Sequence, residues 1–287
     1  MKFVSFRTKA GESGAGAITS DGVRVLSINP DAGGSPSPIK RLLASTDGRL
    51  ASLERRLDNA PLLPVEDVIL DVPVPDPSKI VAAPVNYRDH QTEMHHPTHI
   101  DSLGVFLKAP SSLLPPGGTI VLPYHGRRFD QEGELALVIG KEARHVAVAD
   151  ALDYVAGYTG LLDMTMRGSE DRSMRKSFDT FTPMGPYLVT PDEAGPVHEL
   201  SLRCWVDGAL RQDASIGELI WDVPTLVSYV SSVMHLHPGD VISTGTPAGV
   251  GEVVHGQRID LAISGFGELH VFVDSSTATV CPTRPAG

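Results

Sequence analysis

The sequence predicts an α+β fold that is mainly β, with a large catalytic domain behind a small N-terminal one. Three observations carry this. The 28 glycines and 23 prolines among 287 residues cut the chain into short segments, as strands joined by tight turns require. Apolar runs with strand character recur along its length, whereas long stretches of helical spacing are scarce. A chain that is 41% hydrophobic and 21% charged can bury a large core, either as one big domain or as a large and a small one.

Residues 1–28 read as a small sheet in which KFVSF, GAGAIT and VRVLSI are joined by glycine-rich turns, one at Ser20-Asp21-Gly22. Pro38 opens the stretch IKRLLASTDGRLASLERRLDNA. Its apolar spacing of three and four predicts one or two short amphipathic helices, broken at Gly48. The run DVPVPDPS at 71–78 alternates proline with acidic and apolar residues, the pattern of an extended connector. The boundary is drawn there, with 1–72 as the small domain and 73–287 as the catalytic one. Beyond it come KIVAAPV, GTIVLP, GELALVIG, YVAGYTGLLD, GPYLVT, LSLRCWVDG, DVISTG, RIDLAI and ELHVFV, all strand-like, and one long helical pattern over 222–236.

Composition narrows the function. A net charge of −11 and a pI near 5.4 argue against a nucleic-acid or anionic-membrane partner, since either wants a basic patch. The opening MKFVSFRTKAGESG lacks the apolar core of a secretory leader, and no apolar run approaches the roughly 18 residues of a membrane span. A cytoplasmic protein is expected. Cys204 and Cys281 are the only cysteines, too few for a disulfide framework or a thiolate metal cage, so packing is their expected role.

The sharpest feature is FDQEGELALVIG. On a strand, Glu132 and Glu134 project from one face, and Gly133 is read as leaving the opposite side open. Carboxylates held that close repel unless a cation or a proton intervenes. The next run, YVAGYTGLLD, ends in Asp163. Three oxygen donors completed by water suit the octahedral preference of Mg²⁺ or Mn²⁺ better than zinc. Taken alone, the pair also fits a solvated strand face, and Asp163 a turn cap.

In NYRDHQTEM, His90 and Glu93 are three apart, so one helical turn puts the carboxylate beside the imidazole, where it orients the ring and raises its basicity. His95, His96 and His99 crowd the same stretch. Pro97 interrupts the helix that an i, i+4 histidine pair needs, so a zinc site is rejected and these three are expected to be exposed. Thr244-Gly245-Thr246-Pro247 forms a tight turn whose amides and hydroxyl could receive a carboxylate.

The series NYRDHQTEM (86–94), FLKAPSSLLPPGGTIVLP (106–123), DQEGELALVIGK (130–141), VAGYTGLLDMTMR (155–167), KSFDTFTPMGPYLVT (176–190) and STGTPAGVG (243–251) resembles, in order over residues 79–270, the fumarylacetoacetate hydrolase family. The resemblance implies a mixed β-sandwich or β-roll, usually a homodimer, with Mg²⁺ or Mn²⁺ held by Glu132, Glu134 and Asp163. It implies that His90 and Glu93 sit on a short lid helix that orders with ligand, forming the catalytic set with Lys176, whose ammonium holds a substrate oxygen. Tyr87, Arg167, Glu170, Gly245 and Thr246 are the candidate substrate-holding residues. Arg167 serves equally as a structural ion pair to Glu170 or Asp171. Glu170 stands where relatives often offer a glutamine amide, and a carboxylate there repels an anion unless it is protonated or turned away.

The expected activity is hydrolysis of a carbon–carbon bond in a small β-diketo or acylpyruvate-type 2-oxo acid. The same chemistry serves oxaloacetate decarboxylases or tautomerases, 2-hydroxy-diene-dioate isomerases and related lyases. A non-catalytic, small-ligand-binding dimer is the alternative of another class, and the retained His90, Glu93 and Lys176 speak against it.

Overall fold

The computed structural model describes residues 1–29 and 36–283. Its backbone is a sandwich of two large sheets, as the strand-rich sequence predicts. Strands Lys2–Thr8, Ser13–Thr19 and Gly22–Asn29 form the antiparallel meander at the N-terminus. Lys2–Thr8 is covered on both faces, with Phe3 on one and Val4 and Phe6 on the other. It also pairs with Thr182–Val189, setting Phe3 opposite Leu188, so the meander extends the central 12-stranded sheet.

Helix Pro38–Ser45 starts where Ser37 accepts the Lys40 amide and Pro38 presets the first turn. Its Ile39, Leu42 and Leu43 are buried, the i, i+3, i+4 stripe that the sequence shows. The helix ends as expected: the Gly48 amide donates back to Leu43 O at 2.9 Å with φ +78°. A Cβ at Gly48 would stand 2.6 Å from the Gly140 backbone. Glycine is therefore required twice over, for its left-handed φ and for the close approach.

The connector ends at the buried Asp240. Its carboxylate accepts from Ser78 N, Ser78 Oγ, Lys79 N, Lys79 Nζ and His237 N. This anchor sets strand Ile80–Ala82 beside Val241–Ser243 in parallel. Next in the sheet is Gly133–Ile139, paired on its other edge with Val155–Leu162. Both of these central strands are buried at every position, which explains their near-continuous apolar sequence.

The second sheet holds Ser201–Val206, Ala209–Ser215, Arg258–Ile263, Gly267–Asp274 and Thr119–Val121. Leu202, Cys204, Leu261 and Leu269 from it share one apolar core with Leu135, Leu137 and Leu162 of the first, the facing-layer packing of a sandwich. Cys204 and Cys281 are both buried, and Cys281 Sγ accepts from Arg127 Nη1 at 3.1 Å. The long helical pattern forms Val223–Val233, capped by Asp222. No described helix is long and apolar enough to cross a membrane.

Gly48→Ala is expected to destabilise the protein by about 1–3 kcal/mol, the cost of a forced left-handed residue with a backbone contact, measured by urea unfolding. Gly11 also has positive φ but open space where its Cβ would go, so Gly11→Ala should cost less. Equal losses would show that the Gly140 contact contributes nothing.

Candidate metal centre

Three carboxylates converge where strands end. Glu132 lies between strands Phe129–Gln131 and Gly133–Ile139, and Asp163 directly follows Val155–Leu162. The Asp163 amide donates to Glu132 O at 2.8 Å, which locks the two chain segments together. Glu134 sits one pleat further on, paired with Leu161. All three are buried, with ligand oxygens within 4.8 Å of one another.

The alternation that aims both glutamates to one side is as the sequence predicts, but the far side of Gly133 is not open. A Cβ there would meet Leu261 Cδ1 at 2.9 Å and Gln212 Oε1 at 3.1 Å. Leu261 of the second sheet and Gln212, which accepts the Gly133 amide at 2.8 Å, fill that space. Glycine is needed because the sandwich closes there.

Burying three carboxylates demands counter-charge. Lys176 Nζ donates to Glu132 Oε2 at 2.6 Å and to Asp163 Oδ2. Lys108 Nζ, fully buried, donates to Asp163 Oδ1 at 2.5 Å and to the carbonyls of Lys176 and Phe181. Burial alone would raise the Glu132 pKa, but Lys176 and Arg167 outweigh it and hold it down to about 2. Glu134 has a different balance. Burial and the neighbouring Asp163 push it up to about 8, although Ser243 Oγ and the Gly245 amide donate to its Oε2. For Lys176, burial opposes the charge, yet Asp163 and Glu132 win and its pKa rises. Burial lowers that of Lys108.

A buried all-carboxylate donor set with one member short of positive charge fits a hard divalent cation. Glu132, Glu134 and Asp163 are the residues that would hold it.

Over this centre lies helix Arg88–Glu93. His90 Nδ1 is 3.2 Å from Glu93 Oε2, the pairing that their spacing predicts, and the ring is close enough to Glu132 to lower its pKa further. Glu93 Oε1 accepts the Gly249 amide at 2.9 Å and Asp89 Oδ2 the Ala248 amide at 3.2 Å, so the helix is docked on the loop after the Thr244–Pro247 turn. Between helix and carboxylates is a cavity of about 130 Å³, lined among others by His90, His96, Phe106, Arg172, Arg175 and Lys176. A larger cavity of about 410 Å³, near Gly48 and Tyr154, lies away from the converging carboxylates. The chemistry belongs to the smaller one.

The other candidates distribute unevenly. Arg167 lines the cavity, but its partners are Asp130, at 2.6 Å from Nε, and Glu132, at 2.9 Å from Nη2; the ion pair to Glu170 or Asp171 does not form. Glu170 is turned away from the cavity, gripped by Arg127 at 2.8 and 2.9 Å and by Thr283. The Arg127 hydrogen bonds hold its carboxyl down to about 2. The Gly245 amide goes to Glu134, and Thr246 Oγ1 donates to Gly133 O at 2.9 Å, so the turn steadies Glu134 and its strand, and only Thr246 of the turn reaches the cavity wall. Tyr87 is buried at the start of helix Arg88–Glu93 with its hydroxyl unpaired, and burial together with Glu134 drives its pKa well above normal. His95 is exposed, as expected, but His96 is not: it lines the cavity with Nδ1 2.7 Å from Thr98 O. His99 is half-buried rather than exposed, with Nδ1 2.8 Å from Asp101 Oδ1.

Four contributors escape the motif reading. Lys108 supplies the second buried ammonium. Asn86 ties the segment leading into helix Arg88–Glu93 to the turn, donating to Thr244 O and Trp221 O and accepting from Trp221 N. Arg172 and Arg175 add positive charge to the cavity wall. An isolated lysine in the apolar run FLKAP was the only signal for the first, and the others have none in their spacing.

The model of the fumarylacetoacetate (FAA) hydrolase C-terminal domain matches residues 79–274. The chain is 43% identical over 245 residues to the maleylpyruvate hydrolase of Aquipseudomonas alcaligenes, covering 82% of this chain and 85% of that one. It is 35% identical to a human mitochondrial oxaloacetate tautomerase, covering 82% and 77%. The solved maleylpyruvate hydrolase of Sphingobium sp. SYK-6, in complex with manganese(II) and pyruvate, superposes with a TM-score of 0.83 at 36% identity, covering 96% of this chain and 99% of that one.

Glu134→Gln tests the electrostatics. In metal-free protein the unfolded chain releases this proton near 4.5, whereas the folded one keeps it up to about 8, so stability is lost as pH rises through that window. The variant in EDTA should therefore gain melting temperature relative to the parent between pH 5 and pH 9, and lose the rise that Mn²⁺ gives the parent. A difference that stays flat with pH would contradict the account.

Proposed function

Because the chain belongs to the fumarylacetoacetate hydrolase family, we propose that it is a divalent-metal-dependent hydrolase that cleaves a carbon–carbon bond in an acylpyruvate-type 2-oxo acid. One observation carries the reading: a buried three-carboxylate centre faces an imidazole–carboxylate pair across a small cavity. The manganese and pyruvate in the similar solved structure support both the cofactor, Mg²⁺ or Mn²⁺ on Glu132, Glu134 and Asp163, and the 2-oxo acid.

When bound, the ion supplies Lewis-acid polarisation of the 2-oxo acid. The chain's own groups do the rest. Glu93 engages His90 Nδ1, so Nε2 is the atom that accepts a proton from water as it attacks the acyl carbonyl. The imidazolium formed is stabilised by Glu93 and Glu132. His90 then returns the proton to the carbon released from the broken bond, giving pyruvate and the acyl group's acid. Lys176 commits two of its N–H donors to Glu132 and Asp163, and the third holds a substrate oxygen. Arg167 braces Glu132 through the Asp130 clamp while presenting an edge to the cavity. Closure of the lid helix on the Ala248 and Gly249 amides keeps bulk water out. The reading includes a homodimer working in the cytoplasm.

A second reading is favoured by the oxaloacetate tautomerase relative: the same His90–Glu93 pair shuttles a proton between carbon and oxygen with no water consumed. Purified protein stripped with EDTA, restored with Mn²⁺ or Mg²⁺ and offered maleylpyruvate, fumarylpyruvate and oxaloacetate separates the two. Pyruvate release from an acylpyruvate, restored by metal, is expected, and His90→Ala should lower kcat by about 10²–10⁴. Enol–keto conversion of oxaloacetate without pyruvate release would select the tautomerase. Activity indifferent to EDTA or to Glu132→Ala would sink the metal mechanism.

A further inference from the structure

A second cluster of metal-ligating side chains lies on the surface, outside the carboxylate centre: Glu142, His235 and His237. Glu142 follows strand Gly133–Ile139, and the two histidines lie between helix Val223–Val233 and strand Val241–Ser243. Ala143 and Leu236 form an antiparallel bridge, each amide donating to the other's carbonyl at 3.0 Å. Both are fully buried. Because residues alternate on extended backbone, the inward Leu236 turns its two histidine neighbours outward together, and the bridge register sets Glu142 opposite His237.

Glu142 Oε2 is 3.5 Å from His235 Nε2, and Oε1 is 3.8 Å from His237 Nδ1. Neither contact is a hydrogen bond, so the lone pairs converge without satisfying one another. The imidazole rings lie 4.5 Å apart, tilted by 43°. Two donors bound to one tetrahedral ion at 2.0–2.1 Å stand about 3.4 Å apart, so small rotations bring all three onto one centre. The backbone beneath is already fixed. Lys79 Nζ donates to His235 O at 3.0 Å, and the His237 amide donates to Asp240 Oδ2 at 2.8 Å.

We infer that Glu142, His235 and His237 form a second metal site that binds a borderline divalent ion of the Zn²⁺ or Co²⁺ class, with water as fourth ligand. Two imidazoles and one carboxylate select such ions, where the three buried carboxylates select hard ones. The ion staples the loop after Gly133–Ile139 to the turn entering Val241–Ser243. It is a structural site, independent of the proposed reaction.

The test titrates Co²⁺ into the full chain kept in saturating Mg²⁺, following visible absorption and bound equivalents. One equivalent with the intense bands of tetrahedral Co²⁺ is expected, and Zn²⁺ should displace it and raise the melting temperature. His235→Ala, His237→Ala and Glu142→Gln should each weaken Co²⁺ binding roughly tenfold or more, while pyruvate release in Mg²⁺ is unchanged. Circular dichroism and the Mg²⁺-dependent melting temperature verify folding of each variant. A Co²⁺ equivalent that survives in the His235→Ala/His237→Ala double variant would place the ion at the lid histidines or the carboxylate centre and overturn the inference, as would the absence of tetrahedral bands.

Discussion

Mutual repulsion among Glu132, Glu134 and Asp163 is the constraint around which the catalytic half is arranged. Carboxylates held within 4.8 Å out of water cannot all be ionised without compensation. Two lysines, a serine hydroxyl and a backbone amide answer that need, drawn from three separate segments. The sheet supplies rigidity: the carboxylates stand on or beside strands covered on both faces, so none can swing to solvent to relieve the strain. Compensation is uneven, and Glu134 is left wanting a positive charge that the polypeptide does not provide.

The short helix over the cavity follows from the same layout. It has only six residues, too short to persist by its own hydrogen bonds. It is held by Asn86 just before it, by Asp89 of its first turn on the Ala248 amide and by Glu93 at its end on the Gly249 amide. Glu93 thus has two duties, one oxygen on His90 and the other on the loop. Orientation of the His90 ring is therefore coupled to docking of the helix on that loop.

Local pattern carried much of this. The strands, the Pro38 and Asp222 helix starts, the break at Gly48 and the convergence of Glu132, Glu134, His90 and Glu93 are all readable from alternation, capping and spacing over a few residues. What escaped lies far apart in sequence. Gly133 reads as an open face until Leu261 and Gln212 are packed against it. Glu170 reads as a threat to anion binding until Arg127 and Thr283 claim it. Gly245 and Thr246 look like free anion receptors until their donors go to Glu134 and the Gly133 carbonyl. His96 was expected in solvent, and only the fold of the Pro97 turn brings it to the cavity. For Gly133, Glu170, Gly245 and Thr246 a partner more than 40 residues away decides, and no local spacing encodes it.

The strand pairing that joins the meander to the central sheet also bears on how the chain acquires its structure. Met1 N reaches Thr190 Oγ1 at 2.6 Å across 189 positions, and Phe3 waits for Leu188. On a ribosome the first strand emerges long before its partner, and its outer edge stays a template for wrong pairing through that interval. Closing so large a loop makes this a slow, non-local step. The N-terminal strands thus depend on protection during synthesis, although in the finished fold the first of them is covered on both faces.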